Sequence, residues 1–412
     1  MSKIRPFKGY RVPKEMAARL AALPYDVMNS AEARVMAEGN PMSFLHISKP
    51  EIDLDPKVDL YSPIVYETAK KNLAMFVEKG WLVPDSKPNL YAYRQIMNGH
   101  AQVGLMACAA VDDYDEDKIK KHEKTRQDKE DDRARHTDIT NLNSGPVFLT
   151  YKARENVDRL MGKIIARTPD VDFVATDGIA HTLWVIDDVR EIEELVRLFA
   201  QIDTAYVADG HHRAKSGSRV REIRRSANPK HTGDEEYNYF MAVYFPHDQL
   251  AILPYNRVVK DLNGNTLETF MDKVREKFEI TDTTEPSPSR SCEFSMYLSG
   301  RWYRLKAKKD SFPAADPVKS LDVSILQDNL LHPILGIEDP RTDKRIDFVG
   351  GIRGTGELEK RVNSGECAVA FSMYPTTVEQ LMKIADEGQI MPPKSTWFEP
   401  KLRSGLVVHF LS

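Results

Sequence analysis

The spacing of apolar positions changes several times along the chain, and each change marks a segment. Over residues 61–80, Ile64, Val65, Ala69, Leu73, Phe76 and Val77 recur at helical spacing and predict a long amphipathic helix. Shorter helices are predicted over 13–23, broken by Pro24-Tyr25-Asp26, and over 31–38, with Ser30 as N-cap and Gly39-Asn40-Pro41 as the stop. Residues 91–94 and 102–111 read as a strand pair around Asn98-Gly99. Strand-like runs return at 146–151, 180–186 and 204–208, with a helix predicted over 188–201. Further strands follow at 239–245 and 250–253, before the turn-rich Asp261-Leu262-Asn263-Gly264. This alternation predicts a mixed α/β core rather than separate all-α and all-β parts.

A chain of 412 residues exceeds the usual single-domain length, so two or three units are expected. Glu285-Pro286-Ser287-Pro288-Ser289 is the best linker-like stretch and sets the predicted boundary, with an N-terminal α/β unit over 1–284 and a C-terminal α/β unit over 285–412. The second unit opens on a hairpin, 293–298 and 302–307, joined at Ser299-Gly300. A strand over 346–349, a helix near 357–362, a strand over 368–373, a helix over 377–387 and a closing strand over 406–411 follow.

Composition narrows the class. A hydrophobic share of 41% with 29% charged residues is ordinary for a globular protein, and a formal net charge of −4 gives no global footprint for wrapping nucleic acid. Cys108, Cys292 and Cys367 are too widely separated for a disulfide framework or a metal-binding pair, which fits a reducing compartment. The first ten residues carry Lys3, Arg5 and Lys8 but no apolar stretch of the kind a secretory signal needs, and no window approaches the roughly 18 apolar residues of a membrane span. A cytoplasmic protein without a membrane partner is the expectation.

The run that carries the most chemistry is Asp209-Gly210-His211-His212-Arg213, between the 204–208 strand and a helix through Val220, Ile223 and Arg224. A helix N-terminus offers unpaired N–H groups and partial positive charge to an anion. Arg213 would add a planar donor for phosphate oxygens, Asp209 could hold magnesium or orient a hydroxyl, and His211 or His212 could donate to developing charge. Nothing structural requires two adjacent histidines and an arginine there, although a capping Asp209 with exposed histidines is the alternative.

A second constellation runs Lys120-Lys121-His122-Glu123-Lys124-Thr125-Arg126 and on through Lys129, Asp131, Asp132, Arg133, Arg135 and His136. It reads equally as a solvated helix face, with Glu123 pairing Arg126 and Lys129 pairing Asp132, or as a segment clamping a polyphosphate. A third, Asp339 to Arg345 followed by Gly350-Gly351-Ile352-Arg353-Gly354, reads as a phosphate approach or as a tight turn, and its spacing misses the dinucleotide and Walker patterns. Near the C-terminus, the proline-bracketed loop from Pro392 to Lys401 and Arg403, which holds Lys394, Ser395 and Thr396, reads as an anion contact or a surface loop.

Over essentially its whole length the chain resembles the family called domain of unknown function 1015. The resemblance is carried by Pro24-Tyr25-Asp26-Val27, Asn40-Pro41 with Ser43-Phe44-Leu45-His46, His122-Glu123 with Thr125-Arg126, Asp209 to Arg213, and Pro392-Pro393-Lys394-Ser395-Thr396. The Asp209 to Arg213 motif, in turn, is similar to one in the ParB and sulfiredoxin superfamily, which includes nucleotide-dependent kinases of free serine. That likeness implies a ParB/sulfiredoxin-like core around the turn, with Asp209 on metal or hydroxyl and His211 and Arg213 at the phosphate, and His212 as a further catalytic candidate. It also implies an N-terminal carboxylate as general base, for which Glu32 is the candidate and Asp26 the alternative. His122, Glu123, Arg126, Arg133, His136, Lys394 and Ser395 are the expected nucleotide contacts, with ATP or ADP and magnesium as cofactors. The activity implied is phosphoryl transfer between nucleotide and serine or phosphoserine. A ParB-like nucleotide or nucleic-acid module and a metal-dependent phosphohydrolase are the rivals, and nucleic acid is not the expected partner.

Overall fold

The computed structural model describes residues 3–412, which divide into two compact units. The first holds the described residues up to Leu250 together with Pro400–Ser412, and the second is Ala251–Glu399.

The first unit is built on a nine-stranded sheet. In chain order its strands are β1 (Ile4–Arg5), β2 (Leu90–Met97), β3 (His100–Ala110), β4 (Ile119–Lys120), β5 (Val147–Tyr151), β6 (Val171–Val174), β7 (Ala180–Ile186), β8 (Ala205–Asp209) and β9 (Tyr239–Pro246). Their spatial order is β4-β8-β5-β9-β3-β2-β7-β6, with β1 also paired to β3. The β2–β3 hairpin turns where it was expected, because Asn98 (φ 52°) and Gly99 (φ 79°) adopt the left-handed conformation a two-residue hairpin loop demands. One face buries Leu105, Ala107, Val147, Leu149, Val207 and Ala242 in a continuous apolar core. At about 25 cal/mol per Å² of apolar surface removed from water, such packing is what holds the sheet against chain entropy.

Four helices of this unit matter below. They are α1 (Ser30–Ala37), α2 (Pro63–Glu78), α3 (Gln127–Thr140) and α4 (His211–Ala227). Asn29, not Ser30, caps α1, with its side chain accepting from the Glu32 amide and the Glu32 carboxylate accepting in return from the Asn29 amide. α3 is not the wholly solvated face that was one of its two readings, since Glu130, Asp132 and His136 are buried along it.

The second unit contains a six-stranded sheet of β10 (Tyr255–Val259), β11 (Phe278–Asp282), β12 (Glu293–Leu298), β13 (Arg301–Ala307), β14 (Ile346–Gly350) and β15 (Val369–Met373). The predicted boundary therefore shifts. β10 and β11 fall on the far side of it because they pair with β14 and β15 and with β13, and the Pro-rich run at 285–289 is a loop joining two strands of one sheet. The last strand, β16 (Val407–Phe410), returns to the first unit, pairing with Tyr10–Arg11 and Leu142–Asn143. No described helix is long and apolar enough to cross a membrane.

Candidate functional site

β8 and α4 meet at Asp209 and Gly210, and two local features aim this turn. The pairing of β8 with β5 slips between Val207 and Asp209, so Ala208 is an extra residue in the ladder and Asp209 is re-aimed at the strand end. Gly210 then takes φ +90°, where a Cβ would meet the Arg213 guanidinium at 3.0 Å. Gly210 contributes no capping side chain, so the first amides of the 17-residue α4 have no side-chain acceptor from their N-cap. β4 runs parallel to β8, with Ile119 and Tyr206 side by side with Ala205 and Lys120 respectively, and this brings the following His122 and Glu123 alongside the turn.

Asp209 lies among cations. Arg213 Nη2 donates to its Oδ2 at 3.1 Å, and Lys401 Nζ stands 3.9 Å from its Oδ1. Burial alone would raise this carboxyl, but Lys401 and Arg213 more than offset it and hold it below the usual carboxylate range. Arg213 is itself committed, since its Nη1 donates to the Pro146 carbonyl and its Nη2 lies 3.9 Å from Asp26. Burial works against its charge, and Asp26 and Asp209 restore it.

The histidines occupy distinct places. His122 and His211 pack edge to face with ring centroids 4.5 Å apart, and both are buried. Burial pushes His122 down to about 4 and His211 well below its ordinary value, so both rings are neutral near pH 7. Glu123 Oε2 stands 4.0 Å from His211 Nδ1. His212 Nε2 accepts from the Arg126 amide at 3.1 Å, which ties the start of α3 to the start of α4.

The structure thus brings Asp209, His211, His212, Arg213, His122, Glu123 and the Arg126 backbone together, and gives the other expected members partners of their own. The Arg126 side chain pairs with Asp128 at 2.9 Å instead of Glu123. Arg133 pairs with Asp132 at 2.7 Å and lies over the Tyr25 ring, and Lys129 bonds the Tyr61 hydroxyl rather than Asp132. His136 Nε2 meets the Ile47 carbonyl at 2.8 Å. Arg133 and His136 also line a cavity of about 20 Å³ with Tyr25, Asn143, Ser144 and Arg213, room for about one water. Glu32 spends its carboxylate capping α1, and Asp26 is the N-terminal carboxylate that reaches Arg213.

Lys394 and Ser395 belong to the second unit. Lys394 lies over the Tyr255 ring and Ser395 donates to the Pro392 carbonyl at 2.6 Å. The Gly350-Gly351 pair serves packing there, since a Cβ on Gly350 would strike the Trp397 ring at 2.8 Å and one on Gly351 the Pro254 carbonyl at 2.8 Å. Lys401 is the site member that sequence reasoning passed over as a candidate, having read it only as part of the C-terminal loop.

Magnesium prefers oxygen donors in octahedral array and is commonly held by one or two carboxylates plus substrate phosphates. Asp209 is the carboxylate at the turn whose donor type fits this use. The one group of three possible metal ligands among the described residues is different, His122, Glu123 and His211, whose ligand atoms lie within 4.8 Å of one another.

The chain belongs to the family described as "Protein of unknown function (DUF1015)", which matches residues 4–324. No curated protein matches it. Among solved structures it is similar to a free serine kinase in complex with AMP, at 12% identity over 74% of this chain and 91% of that one, with a TM-score of 0.35. It is also similar to a conserved hypothetical protein from Pyrococcus furiosus, at 12% identity, 74% and 95% coverage and a TM-score of 0.35. SbnI with a C-terminal truncation, from Staphylococcus aureus, is similar at 13% identity, 74% and 87% coverage and a TM-score of 0.37.

Proposed function

We propose that the protein is a nucleotide-dependent phosphotransferase acting on a small hydroxyl metabolite, with serine and phosphoserine as the substrate pair to test first. The observation that carries this reading is the setting of Asp209, an acid held by Arg213 and Lys401 at the uncapped start of α4. The uncapped amides and the helix dipole receive phosphate oxygens there. Arg213 holds Asp209, faces Asp26 and donates to the Pro146 carbonyl, so it positions both acids beside the phosphate. Asp209 then orients the acceptor hydroxyl or a phosphate-bound cation, and Glu123 or Asp26 takes the hydroxyl proton. When bound with the nucleotide, magnesium would neutralise charge between the phosphates. Neutral His211 and His212 supply hydrogen bonds at the same edge. Serine enters through the motif's resemblance to free serine kinases.

The test incubates the full-length protein with magnesium, ATP or ADP, and serine or phosphoserine, and follows phosphorus NMR. New phosphoserine or nucleotide resonances that depend on both substrates are expected. No exchange with any of these pairs, with the protein folded, would overturn the reading.

A further inference from the structure

The neighbourhood of His122 carries a second chemistry that phosphoryl transfer does not require. We infer that His122, Glu123 and His211 form a binding site for a divalent transition-metal ion, of the zinc, manganese, cobalt or nickel kind, distinct from any magnesium that travels with a nucleotide. The inference stands apart from the phosphotransferase reading.

Four observations support it. The three side chains each offer a ligand atom, and those atoms lie within 4.8 Å of one another. Ligands at about 2.0–2.2 Å around one tetrahedral ion stand roughly 3.4 Å apart, so the site closes by a modest shift, and Glu123, with its side chain 43% exposed, is able to make it. His211 is 5% exposed and its Nδ1 stands 4.0 Å from Glu123 Oε2, so a ring nitrogen of a buried imidazole faces the carboxylate. His122 hydrogen-bonds the Val207 backbone, and a ring fixed by a carbonyl is how metal-bound histidines are oriented.

The backbone explains why the three converge. β4 delivers His122 and Glu123 beside β8, and the Ala208 bulge with the Gly210 turn swings His211 to meet them. Two imidazoles and one carboxylate select a borderline ion over magnesium, which wants oxygen.

Cobalt(II) added to untagged, full-length, chelator-stripped protein tests this by visible absorption and calorimetry. One equivalent with ligand-field bands is expected, unmoved by millimolar magnesium. Glu123→Gln, an exposed position that spares the core, is expected to weaken cobalt binding by at least about 10-fold. His211→Ala, checked by thermal melting for an intact fold, is expected to abolish the bands. Absence of bands in the wild type, displacement by equimolar magnesium, or unchanged affinity in Glu123→Gln would each overturn the site, whether or not phosphoryl transfer is found.

Discussion

Lys401 Nζ stands 3.9 Å from Asp209 Oδ1, so a residue that follows the whole second unit in sequence completes the charge balance at a strand end in the first. Its position is fixed from behind. The buried Gln95 amide donates to the Lys401 carbonyl at 2.9 Å, and Gln102 donates to Gln95 at 3.0 Å. Lys401→Met is therefore expected to lower kcat/KM by roughly 10- to 100-fold. It is also expected to move the acid limb of the pH–rate profile upward. The sign follows from Asp209: burial raises its carboxyl and Lys401 is first among the groups opposing that, so removing the ammonium lets Asp209 protonate at higher pH. An unmoved acid limb would exclude this role.

Gly210 is expected to tolerate no side chain. Alanine there must adopt φ near +90° and meet the Arg213 guanidinium at 3.0 Å. Gly210→Ala should cost about 1–3 kcal/mol in urea unfolding and loosen the Asp209–Arg213 pair.

The buried histidines make stability fall on mild acidification. His122 and His136 are pushed down to about 4 and His181 to about 3, in each case chiefly by burial. The unfolded chain binds protons near 6.5 and the folded one does not, so their contribution is complete above about pH 6.5 and declines as pH drops toward 4. Each should subtract on the order of 1–2 kcal/mol by pH 5. Replacing His136 with Gln is expected to flatten the slope of unfolding free energy between pH 7 and 5, and an unchanged slope would speak against its neutral burial.

Two N-terminal acids separate by role. Glu32→Ala removes half of a capping box and is expected to cost about 0.5–1 kcal/mol without altering turnover. Asp26→Asn, beside Arg213, is expected to reduce turnover at least about 10-fold with little change in melting temperature. Comparing both variants in one assay checks the assignment.

Local signals were readable wherever the chain's own neighbours decide the conformation. Asn98-Gly99 announces its hairpin, the apolar stripe from Val65 to Phe76 announces α2, and the strand, glycine and histidines around Asp209 announce a strand-to-helix turn. What could not be read depends on partners distant in sequence. α3 hides its buried face because that face is polar: Asp132 meets Tyr66 and Arg133, Glu130 lies 3.5 Å from Arg219, and His136 meets the Ile47 carbonyl. The Pro-Ser run at 285–289 imitates a linker while joining paired elements of one sheet, and the return of β16 to Tyr10–Arg11 leaves no local mark. Lys401 escaped notice for the same reason.

Turnover of Asp209→Asn against wild type, measured on serine with ATP or ADP beside the melting temperature of each protein, bears most directly on the phosphoryl-transfer site. At least about a 100-fold loss is expected with the fold intact, because the amide keeps the shape and loses the charge that Arg213 and Lys401 surround. Wild-type turnover in the variant would contradict the account.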